Sequence, residues 1–103
     1  MAGLKILVIK KDGRREIYDG EKLKSGLLKA LEKRPGVEKT EELVDKIERK
    51  LRLKGVREIP SSVLGNWVLK ELKKLDVVAY LRFASVYRTF EEPQDFEREL
   101  KSL

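Results

Sequence analysis

Four cations crowd the stretch Val8-Ile9-Lys10-Lys11-Asp12-Gly13-Arg14-Arg15-Glu16, and a fifth, Lys22, follows shortly after Asp19. Lys offers a compact ammonium and Arg a planar fork of N–H donors, a combination suited to a polyphosphate whose charge is spread over several oxygens. Asp12-Gly13 favours a two-residue hairpin turn, which sets Lys11 opposite Arg14, Lys10 opposite Arg15, Ile9 opposite Glu16 and Val8 opposite Ile17. Like charges facing each other across a strand pair repel, and a bound anion relieves the repulsion. Two readings stand side by side: a phosphate grip, or a charged edge that keeps the sheet from pairing with other chains. The company of the cluster favours the grip, because Asp19 and Lys22 open a helix whose positive end also attracts anions.

The remaining inventory excludes more chemistry than it offers. With no Cys and no His among 103 residues, the chain has no disulfides, no thiolate or imidazole metal site, and no Ser-His or Cys-His catalytic pair. It has no G-x-x-x-x-G-K-[ST] loop and no paired-carboxylate metal site for phosphoryl transfer, so it is not read as an enzyme. Lys and Arg number 24 against 18 Asp and Glu, a net charge of +6 that attracts anionic partners at long range. Non-specific nucleic-acid binding is therefore the alternative function, although acidic residues interrupt the basic ones, as in Glu48-Arg49-Lys50. The longest apolar run, Ile6 to Ile9, falls far short of the roughly 20 residues a membrane span needs. Met1-Ala2-Gly3-Leu4-Lys5 lacks a secretory signal, so a cytoplasmic protein with no membrane contact is expected.

Several elements must position the cations. Leu4 to Lys11 reads as a strand that returns from Arg14 to Tyr18. Asp19 caps a helix over about Gly20 to Lys33, with Leu23, Leu27, Leu28 and Leu31 as its stripe, ended by Arg34-Pro35-Gly36. Thr40 caps a second helix that buries Leu43, Val44, Ile47 and Leu51 and stops at a left-handed Gly55. Glu58-Ile59-Pro60 leads into a third helix, capped by Ser61 and carrying Leu64, Trp67, Val68, Leu72 and Leu75. A single Trp there reads as packing. A fourth, capped by Asp76, runs from about Val77 to Thr89 with Ala79, Phe83, Val86 and Phe90 inward. Pro93 opens the last, in which Phe96, Leu100 and Leu103 recur at helical spacing. The sum is one α+β domain over residues 1–103, an N-terminal β-hairpin packed on a bundle of four to five helices.

The same residues carry a family resemblance. The basic stretch resembles the opening V-x-K-R-D-G motif of the ATP-cone domain, with Lys11 where the motif has Arg. Ile17-Tyr18-Asp19-Gly20-Glu21-Lys22-Leu23, Arg34-Pro35, Ile59-Pro60-Ser61 and Val78-Ala79-Tyr80-Leu81-Arg82-Phe83-Ala84-Ser85-Val86-Tyr87-Arg88 continue it in order, and the last is most similar to the cone of bacterial transcriptional repressors of ribonucleotide reductase genes.

The resemblance implies a regulatory domain that binds ATP or dATP, with Mg²⁺ accompanying the phosphates, and that acts through homo-oligomers or an attached domain. It implies that Val8 and Ile9 present backbone to the base, that Lys10, Lys11 and Lys22 meet phosphates across the Gly13 turn, and that Glu16 positions the nucleoside end beside Leu23. Ser61 matches a position near the nucleotide and serves equally as a helix cap. Tyr87 and Arg88 either close the site or belong to the core. Arg14 and Arg15 are left to the charged edge. The repressors place a Cys-rich zinc ribbon before the cone. Here the chain begins at the cone, so specific DNA binding through zinc is not expected.

Overall fold

The computed structural model describes residues 5–103; Met1-Ala2-Gly3-Leu4, the stretch expected to carry no signal and to start the first strand at Leu4, lie outside them. The elements follow in the order β1 (Leu7–Ile9), β2 (Arg15–Ile17), α1 (Gly20–Ala30), a 3₁₀ turn (Pro35–Lys39), α2 (Thr40–Lys54), β3 (Glu58–Pro60), α3 (Ser61–Leu75), α4 (Val77–Tyr87) and α5 (Pro93–Lys101). The α+β architecture is the expected one. The sheet gains a strand: β3 joins β1 in parallel, giving the order β2-β1-β3 with Val8 between Glu16 and Ile59.

The hairpin loop begins one residue earlier than expected. Leu7 pairs with Ile17, Val8 with Glu16 and Ile9 with Arg15. The Lys10 N–H donates to the Arg14 carbonyl at 2.8 Å and the Gly13 N–H to the Lys10 carbonyl at 2.9 Å, which closes a three-residue loop, Lys11-Asp12-Gly13. Gly13 takes φ +89° at its end, the left-handed position such loops demand. A one-residue slip moves the returning strand's side chains to the opposite face. Lys10 therefore faces Arg14 in place of Arg15 and lies diagonal to Glu16, an attractive pairing. The Asp12 carboxylate accepts from the Arg14 N–H at 3.1 Å and from its Nε at 2.7 Å, and Arg15 Nε donates to Glu58 at 2.9 Å. Both arginines of the stretch are thus held at the edge of the sheet.

Beneath the sheet, Ile6, Val8, Tyr18 and Ile59 meet the buried faces of the helices. Leu27, Leu31, Leu51 and Leu72 are fully enclosed, each contributing about 1.5–3 kcal/mol by leaving water. Leu43, Val44 and Ile47 are buried as the spacing predicts, and Gly55 ends α2 at φ +61°. Trp67 packs under the Lys50 ammonium, 4.4 Å from the ring centroid. Among the described residues no helix is long and apolar enough to cross a membrane.

Two caps hold and two fail. Asp19 accepts from the N–H groups of Glu21 and Lys22, and Asp76 from that of Ala79. Thr40 and Ser61 are instead first residues of their helices; the Thr40 hydroxyl turns back to donate to the Val37 carbonyl at 2.6 Å. Helix α1 ends at Ala30, short of Lys33, where the Arg82 guanidinium takes over the carbonyls of Ala30 and Glu32. Helix α4 ends at Tyr87, short of Thr89. Its inward face is Ala79, Tyr80 and Ala84, while Val86 is 82% exposed and Leu28 on α1 is 42% exposed.

Candidate functional site

A cavity of about 230 Å³ opens between the sheet, α1, α3 and α4. Strand alternation points Val8, Lys10 and Glu16 into it. Helix α1 contributes Lys22, Leu23 and Gly26, α3 contributes Ser61, Leu64, Gly65 and Val68, and α4 closes the far side with Phe83 and Tyr87. The floor is apolar and the rim toward the hairpin is charged.

On that rim a single oxygen of Glu16 lies 3.5 Å from Nζ of Lys10 and 3.5 Å from Nζ of Lys22. Lys10, then Lys22, hold the Glu16 carboxyl below its ordinary range. One carboxylate thereby draws ammonium groups from a strand and a helix to one point. This converging pair is where an anionic group would be received.

The aromatic wall depends on a missing side chain. The Tyr87 ring lies so close over Gly65 that a Cβ there would overlap it. Seated there, the Tyr87 hydroxyl donates to the Ser61 backbone carbonyl, and the ring stacks on Phe83 with centroids 6.0 Å apart and planes at 22°. Burial raises the Tyr87 pKa, keeping the hydroxyl a neutral donor. Helix α3 starts without a side-chain cap, so its first-turn N–H groups lack that partner at the edge Ser61 contributes.

The structure gathers seven of the eleven residues singled out in the sequence around this cavity: Val8, Lys10, Glu16, Lys22, Leu23, Ser61 and Tyr87. Four lie apart. Ile9 alternates onto the other face of β1, and Lys11 and Gly13 are exposed at the loop tip. Arg88 turns away to Glu99 at 2.5 Å and Asn66 at 3.3 Å. Strand β1 is the middle of the sheet, so the backbone of Val8 is committed to the ladder. Gly65, Leu64, Val68, Gly26 and Phe83 were not singled out for the site. The i, i+4 spacing of Ser61/Gly65 and of Phe83/Tyr87 was the available signal, visible only once α3 and α4 are known to face each other.

Two other concavities frame the choice. A groove of about 610 Å³ between α1 and α2 is lined by Asp19, Glu21, Glu41, Asp45 and Glu48 against one lysine, Lys24, a net negative set that repels anions. A groove of about 840 Å³ along α1 and α4 shares Lys22, Gly26, Phe83 and Tyr87 with the cavity and adds Lys29 and Arg82. Among the described residues no cluster of carboxylates is arranged to hold a metal ion.

A cavity with an apolar floor and a cationic rim, roofed by a small sheet and walled by helix faces, defines a small-ligand binding domain for an anion with an apolar end. The sequence comparisons place it further. The model of the ATP cone domain matches residues 6–93, and the chain belongs to that family. Its relatives include proteins named transcriptional repressor NrdR from Geotalea daltonii, 54% identical over 98 residues, Myxococcus xanthus, 53% identical over 98 residues, and Caldanaerobacter subterraneus subsp. tengcongensis, 54% identical over 101 residues. Those alignments cover 94%, 94% and 97% of this chain but only 65%, 58% and 64% of the relatives, so the chain spans about two thirds of their length.

Proposed function

We propose that this chain is a regulatory module that binds an adenine nucleotide, ATP or dATP, and catalyses nothing. The observation that carries the proposal is the convergence of Lys10 and Lys22 on Glu16 at the mouth of an apolar cavity. Ligand pockets commonly span about 300–1,000 Å³, so a cavity of about 230 Å³ is sized for the nucleoside end alone. The base enters between Val8, Leu23 and Tyr87; the phosphates stay outside on Lys10 and Lys22, with Lys11 reaching from the loop tip. Glu16 and Ser61 flank the sugar. Mg²⁺, when present, is carried by the phosphates and bound water.

As a module of a transcriptional repressor, the chain answers the nucleotide by changing how its copies associate or how an attached domain behaves. Ligand achieves this only by binding two states with different affinity. Isothermal titration with ATP, dATP, AMP and a short duplex DNA at two salt concentrations tests the reading. Micromolar, weakly salt-dependent binding of ATP or dATP supports it. Preference for duplex DNA, falling steeply with salt, replaces it with non-specific nucleic-acid binding, and phosphate release makes the chain an enzyme.

A further inference from the structure

Tyr87, on the far wall of the cavity, is the last residue of α4, where a helix runs out of intrahelical partners. The chain beyond it folds back on the helix: the Thr89 N–H donates to the Val86 carbonyl at 3.3 Å and the Phe90 N–H to the Ser85 carbonyl at 2.8 Å. In that closure Thr89 takes φ +56°, the left-handed place that glycine ordinarily fills. A β-branched side chain is strained there, and such a conformation persists only where its surroundings hold it. The end of α4, and the Tyr87 ring with it, therefore needs support from outside the helix.

Arg88 supplies it. Its Nη1 donates to Glu99 of α5 at 2.5 Å and its Nη2 to Asn66 of α3 at 3.3 Å. Asn66 follows Gly65 and Arg88 follows Tyr87, so the guanidinium repeats, one residue on, the approach of the Tyr87 ring to Gly65. Glu99 is 6% exposed and also accepts from the Tyr80 hydroxyl, about two turns earlier on α4. Burial opposes ionisation of Glu99, but its donors outweigh it and hold the carboxyl below its ordinary range, so Arg88 meets a charged partner. Phe90 meets Phe96 edge-on, with centroids 4.8 Å apart, and closes the same corner. None of the residues lining the cavity comes from α5; Arg88 is what joins that helix to the cavity wall.

We infer that Arg88 is a positioning residue for the nucleotide site: held between Glu99 of α5 and Asn66 of α3, it fixes the Tyr87 ring over Gly65, so that α5 sets nucleoside affinity without touching the cavity. This rests on the proposal that the cavity takes the nucleoside end, and adds the segment that holds its wall. A planar fork of donors reaches acceptors on two helices in one fixed geometry, which a lysine ammonium does not. An aromatic wall is also where position decides affinity, because stacking depends on the offset and tilt of the rings.

Two readouts on Arg88→Ala test this. The first needs no ligand: the Tyr87 ring shields the Gly65 α-protons, and Arg88→Ala should move their resonances toward the positions they take in Tyr87→Leu, where the ring is gone. The second is calorimetry, in which Arg88→Ala should weaken ATP and adenosine by the same factor, about three- to tenfold, but cost less than about twofold in a Tyr87→Leu background. Glu99→Gln keeps the shape of its side chain, spares the fold, and should shift both readouts the same way by a smaller amount. Gly65 resonances unmoved in both variants overturn the inference whether or not a nucleotide binds. A loss as large in the Tyr87→Leu background as in the parent also overturns it, because Arg88 then acts elsewhere. Failure of ATP and adenosine to bind the parent falls on the nucleotide reading alone, since Gly65 still reports where the ring sits.

Discussion

Lys10→Ala removes one of the two ammonium groups that share the Glu16 carboxylate, and the more sheltered one. The Lys10 side chain is 32% exposed against 69% for Lys22. A hydrogen bond to a charged group contributes about 1.5–3 kcal/mol, while solvent exposure drags ion pairs toward about 0–1 kcal/mol. Partial shelter puts a Lys10–phosphate contact at about 1.5–2 kcal/mol and a Lys22 contact at about 1 kcal/mol. With about 1.4 kcal/mol per factor of ten, Lys10→Ala weakens ATP binding roughly 10- to 30-fold and Lys22→Ala roughly fivefold. The double variant loses less than the product, because the two lysines are coupled through Glu16. Adenosine carries no phosphate, and its affinity should change less than about twofold. Isothermal titration of each variant with ATP and adenosine measures both. ATP affinity within twofold of the parent, or equal losses for ATP and adenosine, would refute the phosphate role of the rim.

Three further outcomes follow from the same geometry. Lys11→Ala, at the exposed tip of the loop, should weaken ATP by less than Lys10→Ala does, about fivefold at most, in the same titration. Gly65→Ala forces a Cβ into the Tyr87 ring and should destabilise the fold by about 1–3 kcal/mol in denaturant unfolding; with Tyr87→Leu added, stability should recover while ATP affinity stays low. Glu99 is an acid whose folded-state pKa is depressed below the ordinary 4.5, so its contribution is present above that value and lost as pH falls through the lower, folded one. Amide exchange in residues 93–101 should therefore accelerate in that acid window relative to α2, and Glu99→Gln should remove the difference.

The parts of the fold legible in the sequence were those fixed by local chemistry. Asp19 and Asp76 read as caps because a short carboxylate before a helical stripe has one favourable use, and Gly55 because a left-handed stop wants no Cβ. Thr40 and Ser61 carry the same signal, but the 3₁₀ turn before Thr40 gave its hydroxyl a carbonyl to bond, and Pro60 took the extended position before α3. Strand β3 was illegible: three residues, one a proline, become a strand only by pairing with β1 some fifty positions earlier. The hairpin slip turned on whether Asp12-Gly13 fills a two- or a three-residue loop, which the pair itself does not decide. For the site, the cations were visible as a cluster. Which of them converge, and the Gly65 seat beneath Tyr87, depend on two helix faces meeting.

The central claim is that an adenine nucleotide occupies the cavity under the hairpin. An ATP titration followed by amide chemical shifts across residues 5–103 tests it most directly. The account predicts that the largest shifts fall on Val8, Lys10, Glu16, Lys22, Ser61, Gly65 and Tyr87, with the acidic groove at Glu41, Asp45 and Glu48 unmoved. Shifts concentrated in that groove, or none at millimolar ATP, would contradict it.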